Sequence, residues 1–336
     1  MITLEKSYKD YLKEYNFIDL FAGIGGFHLA FKSFGAKCMF ASEWDKYAQD
    51  VYYNNHNIKP FGDITLIDEK EIPKHDILCG GFPCQAFSIS GKQQGFNDTR
   101  GTLFFDILRI VKYHKPRFLL LENVKNFEKH NNGETLKTVY TTLEQEGYSV
   151  FHKVLNGSDF GVPQSRHRVY ITAFRKDLEV NKFIFPEPLN IKIRLKDILE
   201  DNKNIDISSY IINREDIVMT DEFNTNKFDR EDVYYHKPLR IGTISKGGQG
   251  ERIYHPNGHS ITLSAYGGGV AGKTGCYHIN GVNRRLTERE ICRVSGFPDT
   301  FKIDKSKSQA YKQFGNTVIV NVLQSIIKKV IDDKIL

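Results

Sequence analysis

Short apolar runs alternate with longer amphipathic segments along the first half of the chain. FIDLF, KCMFASE, DILCGG and RFLLLENV predict strands, and YSVFHKVL and HRVYITAF predict two more. Segments 25–34, 45–55, 103–114 and 133–146 predict the helices between them. Strands that alternate with helices in this way are typical of a mostly parallel sheet. We therefore predict an α/β domain with a doubly wound, Rossmann-like sheet.

The alternation stops near residue 188, where the sequence becomes less hydrophobic and later glycine-rich, as in SKGGQGERIY and LSAYGGGVAGKTG. A helical pattern returns in LTEREICRVSGFP, where Thr287 and Glu290 can form a capping box. Apolar residues recur at helical spacing over 317–331, so a closing helix is expected to pack back on the α/β domain. We predict a large domain of 1–192 plus 309–336 and a smaller domain of 193–308.

Composition changes this picture little. The 336 residues are 40% hydrophobic and 26% charged, which is typical of a globular protein. A net charge of +6 permits an acidic partner without requiring one. Five cysteines, a strongly charged first segment (MITLEKSYKDYLKEYNF) and no apolar run near the ~18 residues of a membrane span predict a cytoplasmic protein with reduced thiols.

The turn after the first predicted strand, DLFAGIGGF, is where such a fold binds nucleotide-like ligands. Gly23, Gly25 and His28 depart from the dinucleotide fingerprint, so a pyrophosphate is not expected. Glu43 ends the second strand, where it can accept hydrogen bonds from a ribose, and Trp44 can lie against an adenine. S-adenosyl-L-methionine, an adenosine without phosphate, fits this description. Alternatively, the glycines only form a tight turn and Trp44 belongs to the core.

Two further candidates follow later strands of the predicted sheet. In CGGFPCQAFSISG, Cys84 lies after a strand, at the same predicted edge as the glycine turn. A nucleophilic thiolate needs a nearby cation, because a free thiol has a pKa of about 8.5. The cations that could serve are Lys92, Arg100, Arg166 and Arg168.

Glu122 ends RFLLLENV, where burial would raise its pKa and make it a proton donor. Alternatively, it caps a helix or pairs with an arginine. A thiol, a proton-donating carboxylate and an adenosylmethionine site at one edge suggest methyl transfer to a carbon that becomes nucleophilic only after addition to its ring.

No metal site is predicted, although four zinc-ligand residue types lie close together in the sequence. HPNGH has Pro and Gly between its histidines, so no helix can present both on one face, and no CxxC pair accompanies them. The four residues are His255, His259, Cys276 and His278.

Six motifs carry a resemblance to a known family: DLFAGIGG, GFPCQAFS, LLLENV, PQSRHRVY, RRLTEREICRVSGFP and QAYKQFGNTV. With them, the chain resembles the DNA (cytosine-5)-methyltransferases of bacterial restriction–modification systems over nearly its whole length. The resemblance implies an adenosylmethionine-dependent methyltransferase fold with a catalytic large domain and a smaller target recognition domain. It further implies a double-stranded DNA substrate, a monomer, and a cognate restriction endonuclease that acts on the same sequence without necessarily contacting this protein.

The resemblance also implies roles for individual residues. Cys84 attacks C6 of a flipped-out cytosine, and Glu122 contacts and protonates N3. Arg168 steadies the base and the thiolate, and Arg166 supports that arrangement. The positions that match cofactor-side or bracing residues are Phe21, Ala22, Gly23, Gly25, Gly26, Glu43, Trp44, Asp63 (near the adenine amine), Ile64, Pro83, Leu103 and Asn316.

In the smaller domain, Arg252 is expected to read a guanine, because arginine paired with O6 and N7 is the commonest direct contact. Gln249 and Ser90 match residues that fill the space left by the extruded base, and Thr262 and Tyr266 lie in the second glycine loop. KGGQGERIY and ITLSAYGGG resemble the recognition loops of members that modify the second position of GCGC, so GCGC is the expected target. Apart from the resemblance, these would be ordinary polar loop residues.

Two other functions use the same scaffold. A tRNA cytosine-5 methyltransferase shares the catalytic motifs, but that group carries a Cys-Phe-Thr tripeptide, which this sequence lacks, in place of a DNA-reading domain. A non-catalytic DNA-binding module is the second alternative, and the presence of Cys84, Glu122 and Arg168 argues against it.

Overall fold

The computed structural model describes residues 1–83, 103–201 and 206–336. The chain forms two compact units: a large unit of Thr3–Leu155, His167–Glu187 and Leu323–Leu336, and a small unit of Met1–Ile2, Asn156–Arg166 and Pro188–Val322. The boundaries predicted from the sequence placed 1–2, 156–166, 188–192 and 309–322 in the large domain. Here these segments belong to the small unit, where Asn321 donates to the carbonyl of Phe160 and Arg166 donates to that of Gly315. Which unit catalyses and which recognises DNA stays a prediction.

The secondary structure matches the predicted elements of the first half to within two residues at each end. Among the described residues, the strands are Asn16–Leu20 (β1), Lys37–Ser42 (β2), Ile77–Gly81 (β3), Phe118–Val124 (β4), Tyr148–Asn156 (β5), His167–Arg175 (β6), Ile217–Met219 (β7), Leu239–Ile244 (β8), Arg252–His255 (β9), Cys276–Ile279 (β10) and Val282–Arg284 (β11). The α-helices are Gly26–Lys32 (α1), Lys46–His56 (α2), Leu103–His114 (α3), Glu134–Gln145 (α4), Asp221–Asn224 (α5), Glu288–Val294 (α6), Lys307–Asn316 (α7) and Val320–Asp332 (α8). No helix in these three ranges is long and apolar enough to cross a membrane.

The large unit is built on a six-stranded sheet in the order β2-β1-β3-β4-β6-β5. The pairs β1–β2, β1–β3 and β3–β4 are parallel, and β6 runs antiparallel to β4. Alternate residues of β1 face opposite sides: Ile18 joins a core cluster with Ile107 of α3 and Val139 of α4, whereas the ring of Phe17 stacks on Phe31 of α1. Helices therefore cover both faces, which confirms the doubly wound α/β fold.

The closing helix α8 begins at Val320, three residues after the predicted start. Its part in the large unit packs on the first helix and the N-terminal segment, as predicted: Gln324 donates to the hydroxyl of Ser33, and Lys328 donates to the hydroxyl of Tyr8. The amphipathic pattern alone was enough to place this helix.

The small unit contains a second sheet that the sequence analysis did not predict. Its five strands lie in the order β11-β10-β9-β8-β7, and most are only three or four residues long. Ile241, Ile253 and Cys276 are fully buried in its core. Strands this short carry little periodicity, and the glycine-rich loops between them hide the pattern further.

A buried ion pair fixes the start of α6 in the small unit. Arg284 and Glu290 have fully buried side chains and form two parallel hydrogen bonds of 2.7 Å. Glu290 also accepts the backbone N–H of Thr287, and the Thr287 hydroxyl accepts that of Glu290, which is the predicted capping box. One carboxylate thus neutralises a buried guanidinium and caps a helix.

We expect Glu290→Gln to lower the free energy of unfolding by about 3 to 5 kcal/mol, because it leaves the Arg284 guanidinium buried without its counter-charge. Urea unfolding followed by circular dichroism measures this loss. Asp177→Asn, which breaks an ion pair at a half-exposed site with Arg175, is the matched control and should have a much smaller effect. Equal losses in the two variants would contradict this account of the pair.

Candidate functional site

The candidate site lies at the carboxyl edge of the parallel part of the large sheet. Leu20 pairs with both Ser42 and Gly80, and Gly81 pairs with Glu122. Neighbouring strands β1 to β4 therefore end in one row, where ligands of such folds bind. The glycine turn, Glu43 and Glu122, which are far apart in sequence, follow or end these strands at the same edge.

Three residues of the glycine loop after β1 have a left-handed backbone conformation, with positive φ. Phe21, Gly23 and Gly25 have φ of 53°, 54° and 89°, and Gly25 is the N-cap of α1. The N–H of Ala22 donates to the carbonyl of Ser42 at 2.9 Å, which joins the loop to the end of β2. The loop therefore turns sharply and stays joined to the carboxyl edge of the sheet.

Glu43 anchors the loop from the next strand. Its carboxylate is buried, and it accepts the N–H of Gly23 at 2.8 Å and that of Asp45 at 2.9 Å. Burial raises the pKa of Glu43, while these N–H groups oppose the rise. The neighbouring Trp44 is 77% exposed, so it is not the core residue that the alternative interpretation of the sequence required.

A third segment joins the same edge beside β2. The N–H of Phe61 donates to the carbonyl of Ala41, and the N–H of Glu43 donates to the carbonyl of Phe61. Asp63 is exposed, and its Oδ1 accepts the N–H and the hydroxyl of Thr65. The carboxylate of Asp63 is thus held in place by a local turn.

The remaining predicted cofactor-side residues of the large unit are Gly26, Ile64, Pro83 and Leu103. Ile64 is buried, Pro83 is exposed after β3, and Leu103 is half-buried at the start of α3. Gly26 is the first residue of α1. The predicted Asn316 is exposed at the end of α7, in the small unit.

The arrangement fits the adenosine of S-adenosyl-L-methionine. A buried, backbone-anchored carboxylate (Glu43) suits ribose hydroxyls, the exposed indole of Trp44 offers a flat apolar surface to a base, and Asp63 can accept from an exocyclic amine. A Cβ on Gly23 would have no atom within 4 Å, so the loop leaves open space beside it.

Glu122 is paired with an arginine, one of the alternatives that the sequence left open. It is 8% exposed, and its Oε1 lies 3.1 Å from Nε of Arg168. The antiparallel pairing of β4 and β6 places Val124 opposite Arg168, which brings the two charges together from distant parts of the chain. A carboxylate and a guanidinium therefore sit side by side at the edge where β3 and β4 end.

Arg166 lies in the small unit, where its side chain donates hydrogen bonds to backbone carbonyls. Its side chain is 3% exposed and donates to the carbonyls of Leu263, Gly315 and Thr317 at 2.7 to 3.1 Å. Leu263 directly follows Thr262 in the sequence, and Gly315 and Thr317 lie on either side of Asn316. The contacts assign Arg166 a positioning role within the small unit, while its predicted support of the reacting groups stays a prediction.

The two glycine-rich loops of the small unit pack backbone against backbone. The N–H of Ala271 donates to the carbonyl of Gly250 at 2.9 Å, and a Cβ on Gly250 would lie 2.0 Å from the carbonyl of Gly268. A Cβ on Gly269 would lie 3.0 Å from the carbonyl of Gly250. The glycines are therefore required for close contact between the loops.

These packed loops carry the predicted DNA-recognition residues. Gln249 and Tyr266 are exposed, Tyr266 at 77%. Arg252 is half-buried, and its Nε donates to the carbonyl of Gly247 at 3.4 Å. The Thr262 hydroxyl donates to the carbonyl of Ser165 at 2.5 Å, so that side chain holds its loop in place.

Two predicted site residues, Cys84 and Ser90, lie outside the described residues. The other four cysteines (Cys38, Cys79, Cys276 and Cys292) are free and buried. Burial raises the pKa of Cys38, Cys276 and Cys292 to about 12 and raises that of Cys79 still more clearly, so these four are thiols at neutral pH.

Two of the histidines considered as zinc ligands have other partners. His255 lies 2.9 Å from Asp229, and His278 lies 2.9 Å from Asn283. In the part of the chain that the structure describes, no group of three or more His, Cys, Asp or Glu residues is arranged to hold a metal ion.

The sequence analysis missed two features of this edge. Asn123 is buried after Glu122 and donates to the carbonyl of Phe82 at 2.8 Å, which ties the end of β3 to β4. His56 packs beneath the glycine loop, and its Nε2 lies 3.4 Å from the carbonyl of Ile24. The polar residue directly after Glu122 in the sequence could have indicated the role of Asn123. No local sequence pattern indicates the position of His56.

The chain is similar to known DNA methylases over nearly its whole length. The model of the C-5 cytosine-specific DNA methylase family matches residues 15–332. The chain is 54% identical to the Type II methyltransferase M.HhaI of Haemophilus parahaemolyticus over 310 residues, 92% of each chain. It is 44% identical to the Type II methyltransferase M.HaeII of Haemophilus aegyptius over 96% of this chain and 94% of that one.

Solved structures support the fold. The Dnmt2 methyltransferase of S. pombe matches with a TM-score of 0.68 at 22% identity, covering 95% of this chain and 99% of that chain. A putative DNA modification methyltransferase encoded within an E. coli prophage also matches with a TM-score of 0.68, again at 22% identity and over 95% and 99% of the two chains.

We expect Gly25→Ala to lower the stability of the large unit by about 2 kcal/mol or more, because its φ of 89° is strained for alanine and the new Cβ would lie 2.1 Å from Nε2 of His56. Urea unfolding measures the change. Gly62→Ala is the matched control, since a Cβ there meets nothing within 4 Å and φ is not left-handed. If Gly25→Ala unfolds at the same urea concentration as Gly62→Ala, the loop is not packed as described.

Proposed function

Because the chain belongs to the C-5 cytosine-specific DNA methylase family, we propose that it methylates C5 of a flipped-out cytosine in duplex DNA through a covalent adduct of Cys84. The observation that carries the proposal is the Glu122–Arg168 pair at the end of β4. The neighbouring strand, β3, is followed in the sequence by Pro83 and Cys84. The edge thus offers a carboxylate and a guanidinium, and Cys84 is the next residue in the sequence after Pro83.

Each of these groups has a chemical task in the proposed reaction. The Cys84 thiolate adds to C6 of the cytosine, and the electrons of the C5–C6 double bond move toward N3, which Glu122 protonates. Arg168 holds the Glu122 carboxylate in place and contacts the base. C5, now enamine-like, takes the methyl group. A base then removes the C5 proton, the C5–C6 double bond reforms as the thiolate leaves, and N3 returns its proton to Glu122.

The large unit would hold S-adenosyl-L-methionine, which supplies the electrophilic methyl group. Glu43 would accept from the ribose, Trp44 would cover the adenine and Asp63 would accept from its amine. The target base must leave the helix, because the faces of C5 and C6 are covered by neighbouring bases in a stacked duplex.

Recognition of the target falls to the packed glycine loops of the small unit. Arg252 would read a guanine, and Gln249 with Ser90 would fill the space left by the flipped base. Thr262 and Tyr266 lie on the second loop. The backbone packing of these loops supports the proposal, since it holds their exposed side chains at set positions.

The proposed target is GCGC, modified at its second position. The two relatives described above are Type II methyltransferases, which suggests a bacterial restriction–modification system in the cytoplasm. We propose that this protein acts as a monomer and protects the same sequence that a cognate endonuclease cuts, without necessarily contacting that enzyme.

We expect the wild-type protein to form a denaturation-resistant adduct with a duplex that carries 5-fluorocytosine at the target, because fluorine blocks the final elimination. Cys84→Ala should form none and should lose methyl transfer, while it still binds S-adenosylhomocysteine. Gel electrophoresis in denaturant measures the adduct, and radiolabelled methyl transfer to duplex DNA and to tRNA measures turnover.

Cys292→Ala is the matched control for this experiment, since Cys292 is a buried thiol in α6 and should leave adduct formation intact. An adduct with Cys84→Ala, or none with a wild-type protein that methylates normally, would exclude Cys84 as the nucleophile. Methyl transfer to tRNA but not to duplex DNA would favour the alternative substrate.

We expect Arg252→Ala to weaken discrimination at the contacted guanine by about 1 to 3 kcal/mol, because a bidentate contact to O6 and N7 is lost. Rates on GCGC duplexes and on duplexes substituted at single positions measure this. Arg230→Ala, an exposed arginine of the same unit that pairs with Asp232, is the control. Methylome sequencing of a methylation-free host that expresses the protein should show methylcytosine in GCGC, and modification mainly elsewhere would refute the target.

A further inference from the structure

A buried polar cluster lies beneath the glycine loop, on the face of the sheet that α1 and α2 cover. The imidazole rings of His28 and His56 are stacked, with centroids 4.0 Å apart. Nδ1 of His28 lies 2.8 Å from the hydroxyl of Tyr52, which donates at 3.4 Å to Asp19 of β1. All four side chains are at most 6% exposed, and the proposed reaction uses none of them.

The cluster reaches the glycine loop through His56. Nε2 of His56 lies 3.4 Å from the carbonyl of Ile24, and it also lies 2.1 Å from the point where a Cβ on Gly25 would stand. The ring therefore fills the space directly beneath the left-handed turn. It contacts the loop at the point where the backbone changes direction into α1.

Helix α2 links this contact to the other half of the site. At its first turn, Asp45 caps the helix and donates its N–H to Glu43, and Gln49 donates to the carbonyl of Glu43. At its last residue, His56 supports the turn at Gly25. One helix of eleven residues thus contacts both the ribose-binding carboxylate and the glycine loop.

Burial keeps both rings uncharged at neutral pH. It lowers the pKa of His56 to about 4 and that of His28 to about 2, and it raises the pKa of Asp19 above its usual range. Two neutral rings can stack at 4.0 Å without the repulsion that two imidazolium ions would have. The cluster therefore suits a rigid support.

We propose that His56, stacked on His28, is a positioning residue for the cofactor: it holds the turn at Ile24–Gly25 in the conformation that receives the adenosylmethionine. The inference rests on the proposed function and deepens it. His56 sets the affinity for the cofactor, and it takes no part in the transfer of the methyl group. Removing the ring leaves the turn without its support, so binding must first order the loop.

The test is the dissociation constant of S-adenosylhomocysteine, measured by calorimetry on the full chain without DNA. His56→Ala should raise this constant about tenfold, the size expected from losing a hydrogen bond and the packing under one turn. His56→Phe keeps a stacked ring and should recover most of the affinity. With both substrates saturating, kcat of both variants should stay within about twofold of wild type, while KM for the cofactor follows the dissociation constant.

His75→Ala is the matched control. His75 is also a buried histidine with its ring against another histidine, His114, and its Nδ1 lies 2.8 Å from the carbonyl of Pro73. Its loss should lower the melting temperature without changing the affinity for S-adenosylhomocysteine. Hydrogen exchange of amides 21–26 should accelerate in His56→Ala and not in His75→Ala.

The outcomes separate this inference from the proposed function. If His56→Ala and His56→Phe both bind S-adenosylhomocysteine as tightly as wild type does, the positioning role is wrong and the methyl transfer stands. If His56→Ala is too unstable to purify, His56→Gln is measured instead. The positioning role is then also wrong if His56→Gln shows both the affinity for S-adenosylhomocysteine and the exchange of amides 21–26 of the wild type. If the wild-type protein does not bind S-adenosylhomocysteine, both proposals fail.

Discussion

The parallel register of β1 to β4 is the constraint on which the rest of the candidate site depends. Because paired residues such as Leu20 and Ser42, or Gly81 and Glu122, stand side by side, these strands end in one row. A shift of one residue in any pair would turn alternate side chains to the opposite face. In the β3–β4 pair, for example, Glu122 would then no longer stand beside Gly81 at this edge.

Short hydrogen bonds to backbone groups join the segments of that edge to one another. The end of β2 accepts from Ala22 of the glycine loop, and the buried carboxylate of Glu43 accepts from Gly23. Each buried charge is compensated where it lies: Glu43 by backbone N–H groups, and Glu122 by the guanidinium of Arg168. The carboxylates are therefore held in fixed orientations before any ligand arrives.

Glycine serves different purposes in the two units. At Gly25 of the large unit, a left-handed φ and the ring of His56 both exclude a side chain. In the small unit, Gly250 and Gly269 let two loops touch through their backbones. Most strands of the small unit are short, and this close backbone packing and the buried Arg284–Glu290 pair add to the contacts of its hydrophobic core.

Much of the large unit could be predicted from the sequence, because the signals are local. Apolar alternation gave the strands and helices, the Thr287–Glu290 spacing gave a cap, and strand ends pointed to Glu43 and Glu122 as residues of one edge. Each of these signals lies within about a dozen neighbouring residues, the distance over which periodicity and capping act.

Contacts between distant segments were decided only by the tertiary structure. The pairing of Glu122 with Arg168, the three carbonyls held by Arg166 and the ring of His56 under Gly25 each join segments 31 or more positions apart. The five-stranded sheet likewise depends on pairings between strands too short to show a period. The helices and strands of the large unit thus follow from the local sequence pattern. The contact partners of individual side chains follow from strand register and packing, which no local pattern contains.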